Sequence, residues 1–329
     1  MTNRRLGLPS GFMRAALMAS AGVFLTCPLQ AQNYPTKTIR MIVPLAPGGG
    51  TDIMARLISQ RLSEQLGVTI LVDNRAGAGS VIGTELAAKS PPDGYTLMTV
   101  APEFVINPSL RKLPYDSIRD FTCVTQLNSG QYFLSTHPAV PVKTTKQFIA
   151  LAKSRPGQVS FGSSGNGSAN HLAGVLFAHL TKTSLVHVPY KGAGPATIAL
   201  LSGETDFMFS NFASAIPYVR QGKIRAVAST GEKRSPVAPD IPTVSESGVP
   251  GFVVTGFYVL LTPAGTPGEI IGRLNTESVK ALESSVVKER LASLGLEPVG
   301  TSSAECANFI KSEIAKWAPI VKAAGAKPD

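Results

Sequence analysis

The sequence predicts an α/β fold of two lobes, each a mostly parallel sheet flanked by helices, with a hinge between them. Three observations carry this. Short apolar runs alternate with segments whose apolar residues recur at helical spacing, the rhythm of parallel sheets with helices on their faces. One connection, an apolar strand leaving through a glycine-rich turn straight into an amphipathic helix, occurs twice. And 329 residues suffice for two units with cores of their own.

In the first copy Thr38-Ile39-Arg40-Met41-Ile42-Val43 is the strand and Pro47-Gly48-Gly49-Gly50-Thr51-Asp52 the turn. Ile53, Met54, Leu57, Ile58, Leu62 and Leu66 are the apolar stripe of the helix. Three consecutive glycines remove every Cβ from the turn, so backbone N–H groups can crowd an anion at a helix start, where the dipole also favours negative charge. The turn is either a plain tight connection or a seat for carboxylate or phosphate. Thr51 is a helix cap, a hydroxyl donor to a ligand, or both. Asp52 suits the dipole but sits awkwardly beside a bare phosphate; it orders the loop, holds water, or accepts from a ligand amine, hydroxyl or protonated acid.

Beyond Gly67, Val68 to Val72 reads as a strand, Val81 to Ala88 as a helix entered through Gly77 and Gly79, and Tyr95 to Val100 as a third strand. Ala101 to Phe121 reads as irregular. Two extended runs, Cys123 to Leu127 and Gln131 to Thr136, are candidates for a crossing between lobes. A helix over Thr144 to Ala152 ends at Pro156-Gly157, and Val159-Ser160-Phe161 is a strand. The second copy of the connection follows: Gly162-Ser163-Ser164-Gly165-Asn166-Gly167-Ser168 enters a helix with Leu172, Val175, Leu176 and Leu180 on one face.

Leu185 to Val188, Phe207 to Phe209 and Ile224 to Ala228 read as strands, with helices over Ala196 to Ser202 and Ala213 to Gln221 between them. A Pro-rich connection over Pro236 to Gly251 leads to an apolar strand, Val253 to Leu261, and helices over Pro267 to Leu282, Ser285 to Leu294 and Ser303 to Ala323 finish the chain. The expected organisation is a signal peptide at 1–31, one lobe at 32–130 and 252–329, and a second at 131–251. A lobe interrupted by another, with two crossings, can close on a ligand. Two helix starts facing across the cleft would suit a small molecule with carboxylate at one or both ends.

Arg4, Arg5 and Arg14 precede the apolar run Ala15 to Leu25, and Leu29-Gln30-Ala31 offers a cleavage point, the layout of a secretory signal. Periplasmic export is therefore expected. Cys27 follows Thr26, a poor fit to lipid attachment. The formal charge is +10, and the first 31 residues hold three arginines and no acid, so +7 remains. No long basic run interleaves with aromatics, which argues against nucleic acid; a broadly positive field suits anionic solutes. After cleavage the thiols are Cys123 and Cys306, either a disulfide or two buried free thiols.

Ser163, Ser164 and Ser168 near His171 invite a nucleophile-and-base reading, but no Gly-x-Ser-x-Gly elbow is present, and Ser at a helix start is ordinarily a cap. His137, His171, His179 and His187 show no metal-ligand spacing. His179 and His187 read as structural, and His171 as either packing or part of the pocket. Pro47 to Asp52 lacks the Lys-Ser/Thr ending of a phosphate loop and the Gly-x-Gly-x-x-Gly of dinucleotide binding. The chain thus reads as a binding protein and not an enzyme, with no metal or cofactor. Lys191 is either solvated or the counter-charge of a carboxylate. Asp206, Ser210 and Asn211 flank the Phe207 to Phe209 strand, where open α/β sheets take ligands, and Phe104 is either an apolar wall or packing.

Together these motifs resemble the Bug family, the TctC-like receptors of tripartite tricarboxylate transporters. The resemblance runs in order through Tyr34-Pro35, Ile42-Val43-Pro44, Pro47 to Asp52, Asn74-Arg75-Ala76-Gly77-Ala78-Gly79, Pro92-Asp93-Gly94-Tyr95-Thr96-Leu97, Gly162 to Ser168 with His171, Pro189-Tyr190-Lys191-Gly192, Pro242-Thr243 and Gly248 to Phe252. It implies a periplasmic two-lobed solute-binding protein of the Venus-flytrap, type II-like kind. It also implies that Gly48, Gly49, Gly50, Thr51 and Asp52, with Ser163, Ser164, Asn166, Gly167 and Ser168, grip carboxylate through backbone amides, small hydroxyls and water. The implied partners are a small carboxylate and the membrane permease subunits of a tripartite transporter, with the receptor a monomer; the alternative is a carboxylate sensor with a signalling partner. Pro102-Glu103-Phe104 departs from relatives, which often carry small or polar residues there and a His before the Asn-Pro. Phe104 at that place favours an apolar or aromatic acid. Selectivity is expected from Phe104, Lys191 and the strand end near Asn211.

Overall fold

Ile39–Val43 (β1) runs between Ile70–Asn74 (β2) and Thr96–Val100 (β3), parallel to both. All five residues of β3 are buried, which fits a strand covered on both faces. The computed structural model describes residues 1–2, 34–190 and 192–324. Apart from Met1 and Thr2, the expected signal segment lies outside these residues, as does Lys191. Met1–Tyr34 and Pro35–Asp329 are separate contact units, and every named element belongs to the second.

Between β1 and β2, Gly50–Leu66 (α1) buries Met54, Ile58, Leu62 and Leu66 along one face; each such side chain contributes about 2 kcal/mol. Gly67 ends the helix in the left-handed conformation, its N–H bonded to the Ser63 carbonyl. Val81–Ala88 (α2) joins β2 to β3.

The segment expected to be irregular contains a helix, Glu103–Leu110 (α3), with Pro108 inside it. Pro102 occupies the cap position, where a missing N–H costs nothing. Phe104, Val105, Ile106 and Leu110 are buried, so packing rather than propensity holds this short helix.

The two extended runs after it are one strand of 16 residues, Phe121–Thr136 (β4). Register shifts at Cys123/Thr125 and Gln126/Asn128 break the period-two pattern that would mark a continuous strand. β4 changes partners along its length: Phe121 to Gln131 pair antiparallel with Thr255–Pro263 (β9), Tyr132 to Thr136 with Phe207–Asn211 (β7), and Phe133 to Thr136 with Arg225–Ser229 (β8).

Following β4 come Thr145–Ser154 (α4), Val159–Ser163 (β5), Ala169–Thr181 (α5), Leu185–Pro189 (β6), Ala193–Ser202 (α6), β7, Phe212–Arg220 (α7) and β8. β5 is parallel to both β6 and β7. After β9 the chain forms Gly268–Glu283 (α8), Ser285–Ser293 (α9), a strand not anticipated from sequence, Leu296–Pro298 (β10), and Ser303–Ala324 (α10). The sheet path is β2-β1-β3-β9-β4-β7-β5-β6, with β8 and β10 also on β4. A single apolar cluster runs from Ile42 and Met98 through Phe104 and Phe121 to Phe177, Phe207, Phe209 and Phe252. Trp317 of α10 is fully buried and donates to Glu313 Oε2 at 3.1 Å.

Cys123 of β4 and Cys306 of α10 form a disulfide, Cα to Cα 5.8 Å, across 183 positions of sequence. Closing so long a loop restricts the unfolded chain strongly. Reduction is expected to destabilise the protein by about 3 kcal/mol, seen as a lower melting temperature with reductant. A Cys123→Ser, Cys306→Ser double variant should melt at the reduced value with or without reductant; equal melting of oxidised and reduced wild type would contradict this.

Candidate functional site

At the first glycine turn the cap position of α1 belongs to Gly49, not Thr51, which lies within the first turn and is buried. Gly49 has no side chain to offer, and the N–H groups of Gly50, Thr51 and Asp52 have no acceptor inside the helix. The Asp52 carboxylate folds back on its own turn. It accepts from the Gly48 N–H at 2.9 Å and from Arg56 Nε at 3.0 Å. Arg56 also donates to Asn74 Oδ1 at 3.1 Å, and the Asn74 amide reaches the Leu45 carbonyl at 3.1 Å. Burial acts to raise the Asp52 pKa, but the Arg56 guanidinium and the Gly48 N–H outweigh it and hold the carboxyl below its ordinary value. Of the roles open from sequence, ordering the loop is the one its bonds perform. A Cβ at Gly50 would collide with the Tyr258 hydroxyl, so this position needs glycine for close approach.

The second turn is built from side chains. Ser168 caps α5, its Oγ accepting from His171 N–H at 3.4 Å. Asn170 Oδ1 gathers the loop, accepting from Ser164 Oγ at 2.9 Å, Ser168 Oγ at 2.6 Å and the Ser164 N–H at 3.2 Å. Ser163 Oγ and His187 Nε2 are hydrogen-bonded at 2.6 Å. The Gly167 N–H donates to His171 Nδ1 at 3.0 Å, a bond that requires that nitrogen unprotonated. The His171 and His187 rings stack at 3.9 Å, with Phe161 stacked on His187 at 4.9 Å. Asn166 lies half-buried at the tip of the loop.

Helix α3 meets the second turn and the Ala78–Ser80 segment before α2. At its end, Leu110 Cδ1 stands 2.5 Å from where a Gly167 Cβ would be, and Gly167 has φ of 76°, so glycine is required there on both counts. One turn earlier, Asn107 donates to the Gly79 carbonyl at 2.8 Å. At the start of α3, Glu103 lies near the Tyr132 and Tyr258 hydroxyls: burial pushes both phenol pKa values up, and the Glu103 charge pushes them further. Burial likewise raises the Glu103 pKa. Tyr258 leads on to Gly50, and Tyr132 is paired with Asn211 at the end of β7. A run of neighbours thus connects the start of α1 to the end of β7.

Among the sequence candidates, Gly48, Gly49, Gly50, Thr51 and Asp52 surround the start of α1, and Ser163, Ser164, Asn166, Gly167, Ser168 and His171 the start of α5. Ser210 is buried with its Oγ lacking a hydrogen-bond partner, and with Asn211 it sits at the C-terminal end of β7. Asp206 departs from expectation. Its Oδ2 accepts from the Ser160 N–H at 2.8 Å and Oγ at 3.0 Å, at the N-terminal edge of β5 and β7. Strand direction puts it roughly 15 Å from Asn211, bordering a separate hollow with His137 and Arg155. Phe104 also departs: it is 1% exposed and packs edge to face on Phe121 at 5.3 Å, so its ring fills the core. Sequence reasoning passed over Asn170, Tyr132 and Tyr258, read His187 as structural, and noted Glu103 only as a departure from relatives. Strand pairing brings His187 opposite Phe161, and nothing in the local sequence signals that.

Replacing Asp52 by Asn should destabilise the protein by about 2 kcal/mol at neutral pH. The folded carboxyl is the stronger acid, so its contribution is complete above about pH 4 and fades as pH falls through the lowered folded value. Melting curves of wild type and variant should converge in acid; a gap that stays constant down to about pH 3 would refute the assignment.

Among the described residues no helix is long and apolar enough to cross a membrane, and no cluster of three His, Cys, Asp or Glu could hold a metal ion. The model of the tripartite tricarboxylate transporter family receptor, TctC, matches residues 54–326. Protein BugT of Bordetella pertussis is 38% identical over 319 residues, covering 94% of this chain and 98% of that protein. Among solved structures, an R. palustris protein with adipate is 35% identical with a TM-score of 0.83, over 90% of this chain and 100% of that one. MatC from Rhodopseudomonas palustris with bound malate is 33% identical with a TM-score of 0.79, over 88% and 100%. The fold is that of the two-lobed periplasmic binding proteins. The chain belongs to the TctC family of tripartite tricarboxylate transporter receptors, a family of solute-binding proteins and not of enzymes.

Proposed function

We propose that this chain is an exported receptor that captures a small carboxylate in the periplasm and delivers it to the permease subunits of a tripartite transporter. The observation that carries the reading is the pair of strand–turn–helix connections, one presenting N–H groups at Gly50, Thr51 and Asp52 and the other a preassembled set of hydroxyls. Helix starts favour anions through their unpaired N–H groups and dipole. The adipate and malate held by two relatives support carboxylate as the ligand class. In this reading residues 32–130 and 252–329 form one lobe and 131–251 the other. They close about β4 and β9, and the change of partners along β4 at Gln131 and Tyr132 supports that boundary. In this reading Ser210 and Asn211 border the same cleft, while Lys191, the counter-charge expected from sequence, lies outside the described residues.

The test is a thermal-shift panel of mono-, di- and aromatic carboxylates, with mass spectrometry of whatever the purified protein releases on denaturation. A ligand of the folded state at about a hundred times its Kd adds about 2.7 kcal/mol of stability. Gly50→Ala drives a methyl into the Tyr258 hydroxyl, so the unliganded variant should melt below wild type and, while still folded, should bind that ligand at least about tenfold more weakly, about 1.4 kcal/mol. A panel without any stabilising carboxylate, or full affinity in the Gly50→Ala variant, would overturn the reading.

A further inference from the structure

Glu103 opens α3, and its charge acts on two buried phenols, Tyr258, which stands against Gly50, and Tyr132, whose strand position pairs with Asn211. Its Oε2 is buried and has no hydrogen-bond partner, and no described Lys, Arg or His pairs with it. A buried carboxylate without a counter-charge is costly, and an apolar residue of the same size would remove the cost. The dipole of α3 offsets only a small part of it. The neighbouring phenols carry no positive charge. They can donate a hydrogen bond to Glu103 or to a ligand oxygen, but they cannot neutralise the carboxylate. A cation brought by the ligand can.

Resting on the reading of this cleft as a carboxylate receptor, we propose that Glu103 sets its selectivity. Oε2 receives the ammonium or ring N–H of a ligand whose carboxylate sits at the helix starts, so the preferred ligand is an amino-carboxylate zwitterion and not a diacid. A diacid of equal length brings a second negative charge towards Glu103, where low dielectric strengthens the repulsion. The ammonium instead supplies the missing partner, and with it the charge-assisted bond that Oε2 lacks.

Calorimetric titration of the signal-free protein with length-matched probes tests this: γ-aminobutyrate against glutarate, and 5-aminopentanoate against adipate, each with wild type and Glu103→Gln. In wild type the amino acid should bind about tenfold tighter or more in at least one pair, and Glu103→Gln should abolish or invert that ratio. The variant should melt no lower than wild type, since it removes an unpaired buried acid. The compound released on denaturing the native protein should carry both an amine and a carboxylate. Tighter diacid binding in both wild-type pairs, or a ratio unchanged in Glu103→Gln, overturns the role of Glu103 and leaves the carboxylate receptor standing. Failure of every probe, with a released compound lacking any carboxylate, overturns both.

Discussion

The antiparallel pairing of β4 with β9 is the constraint on which the rest of this structure depends. Its ladder runs from Phe121 opposite Pro263 to Gln131 opposite Thr255, and beyond it β4 passes to β7 and β8. One strand therefore belongs to both halves of the sheet. The same stretch carries the parts that matter most. Cys123 ties it to α10, and Asn128 Oδ1 accepts from the Tyr258 N–H at 3.1 Å. Tyr132 emerges where the partners change. Its hydroxyl lies 3.0 Å from where a Gly256 Cβ would be, and the Tyr258 hydroxyl stands against Gly50, so glycine on β9 and at the start of α1 admits both rings. A bend in the β4–β9 pair would move both turns relative to each other, which is what hinge closure requires.

Charge is distributed with the same logic. The ionic pairs belong to the first half of the sheet: Asp52 with Arg56 at the first turn, and Asp73 of β2 with Arg40 and Arg75. Within the second turn the bonds are hydroxyl, amide and imidazole bonds, which orient donors without placing a fixed positive charge there. A neutral hydrogen bond contributes about 1 kcal/mol net, so grip in such a site comes from several donors held ready. Preorganisation reduces the entropy lost on binding. Glu103 is the exception to this arrangement, a carboxyl whose buried Oε2 has no hydrogen-bond partner among the described residues.

Much of the fold was legible in the residues. The alternation of strand and helix, the stripe of Met54, Ile58, Leu62 and Leu66, and the repeated strand–turn–helix connection are local patterns, and local patterns are what sequence displays. The failures have equally local causes. Pro102 and Pro108 disguised α3, which owes its existence to buried Phe104, Val105 and Ile106. Two bulges hid the continuity of β4, and three residues were too few to announce β10. Asp206 was misplaced because a strand has two ends and only its direction within the sheet says which one faces the cleft.

What the sequence by itself determined is the chemistry available at each turn: three glycines and a helix start in one, serines and an asparagine before a helix in the other, and a length and rhythm that commit the chain to an α/β sheet. Only the tertiary structure decided which side chains share the space between them. Glu103, Tyr132 and Tyr258 lie on three different elements, α3, β4 and β9, and the packing of those elements, not any motif, brings them together. Periodicity encodes the face a residue presents, while the neighbour it meets across that face depends on pairing and packing between distant segments.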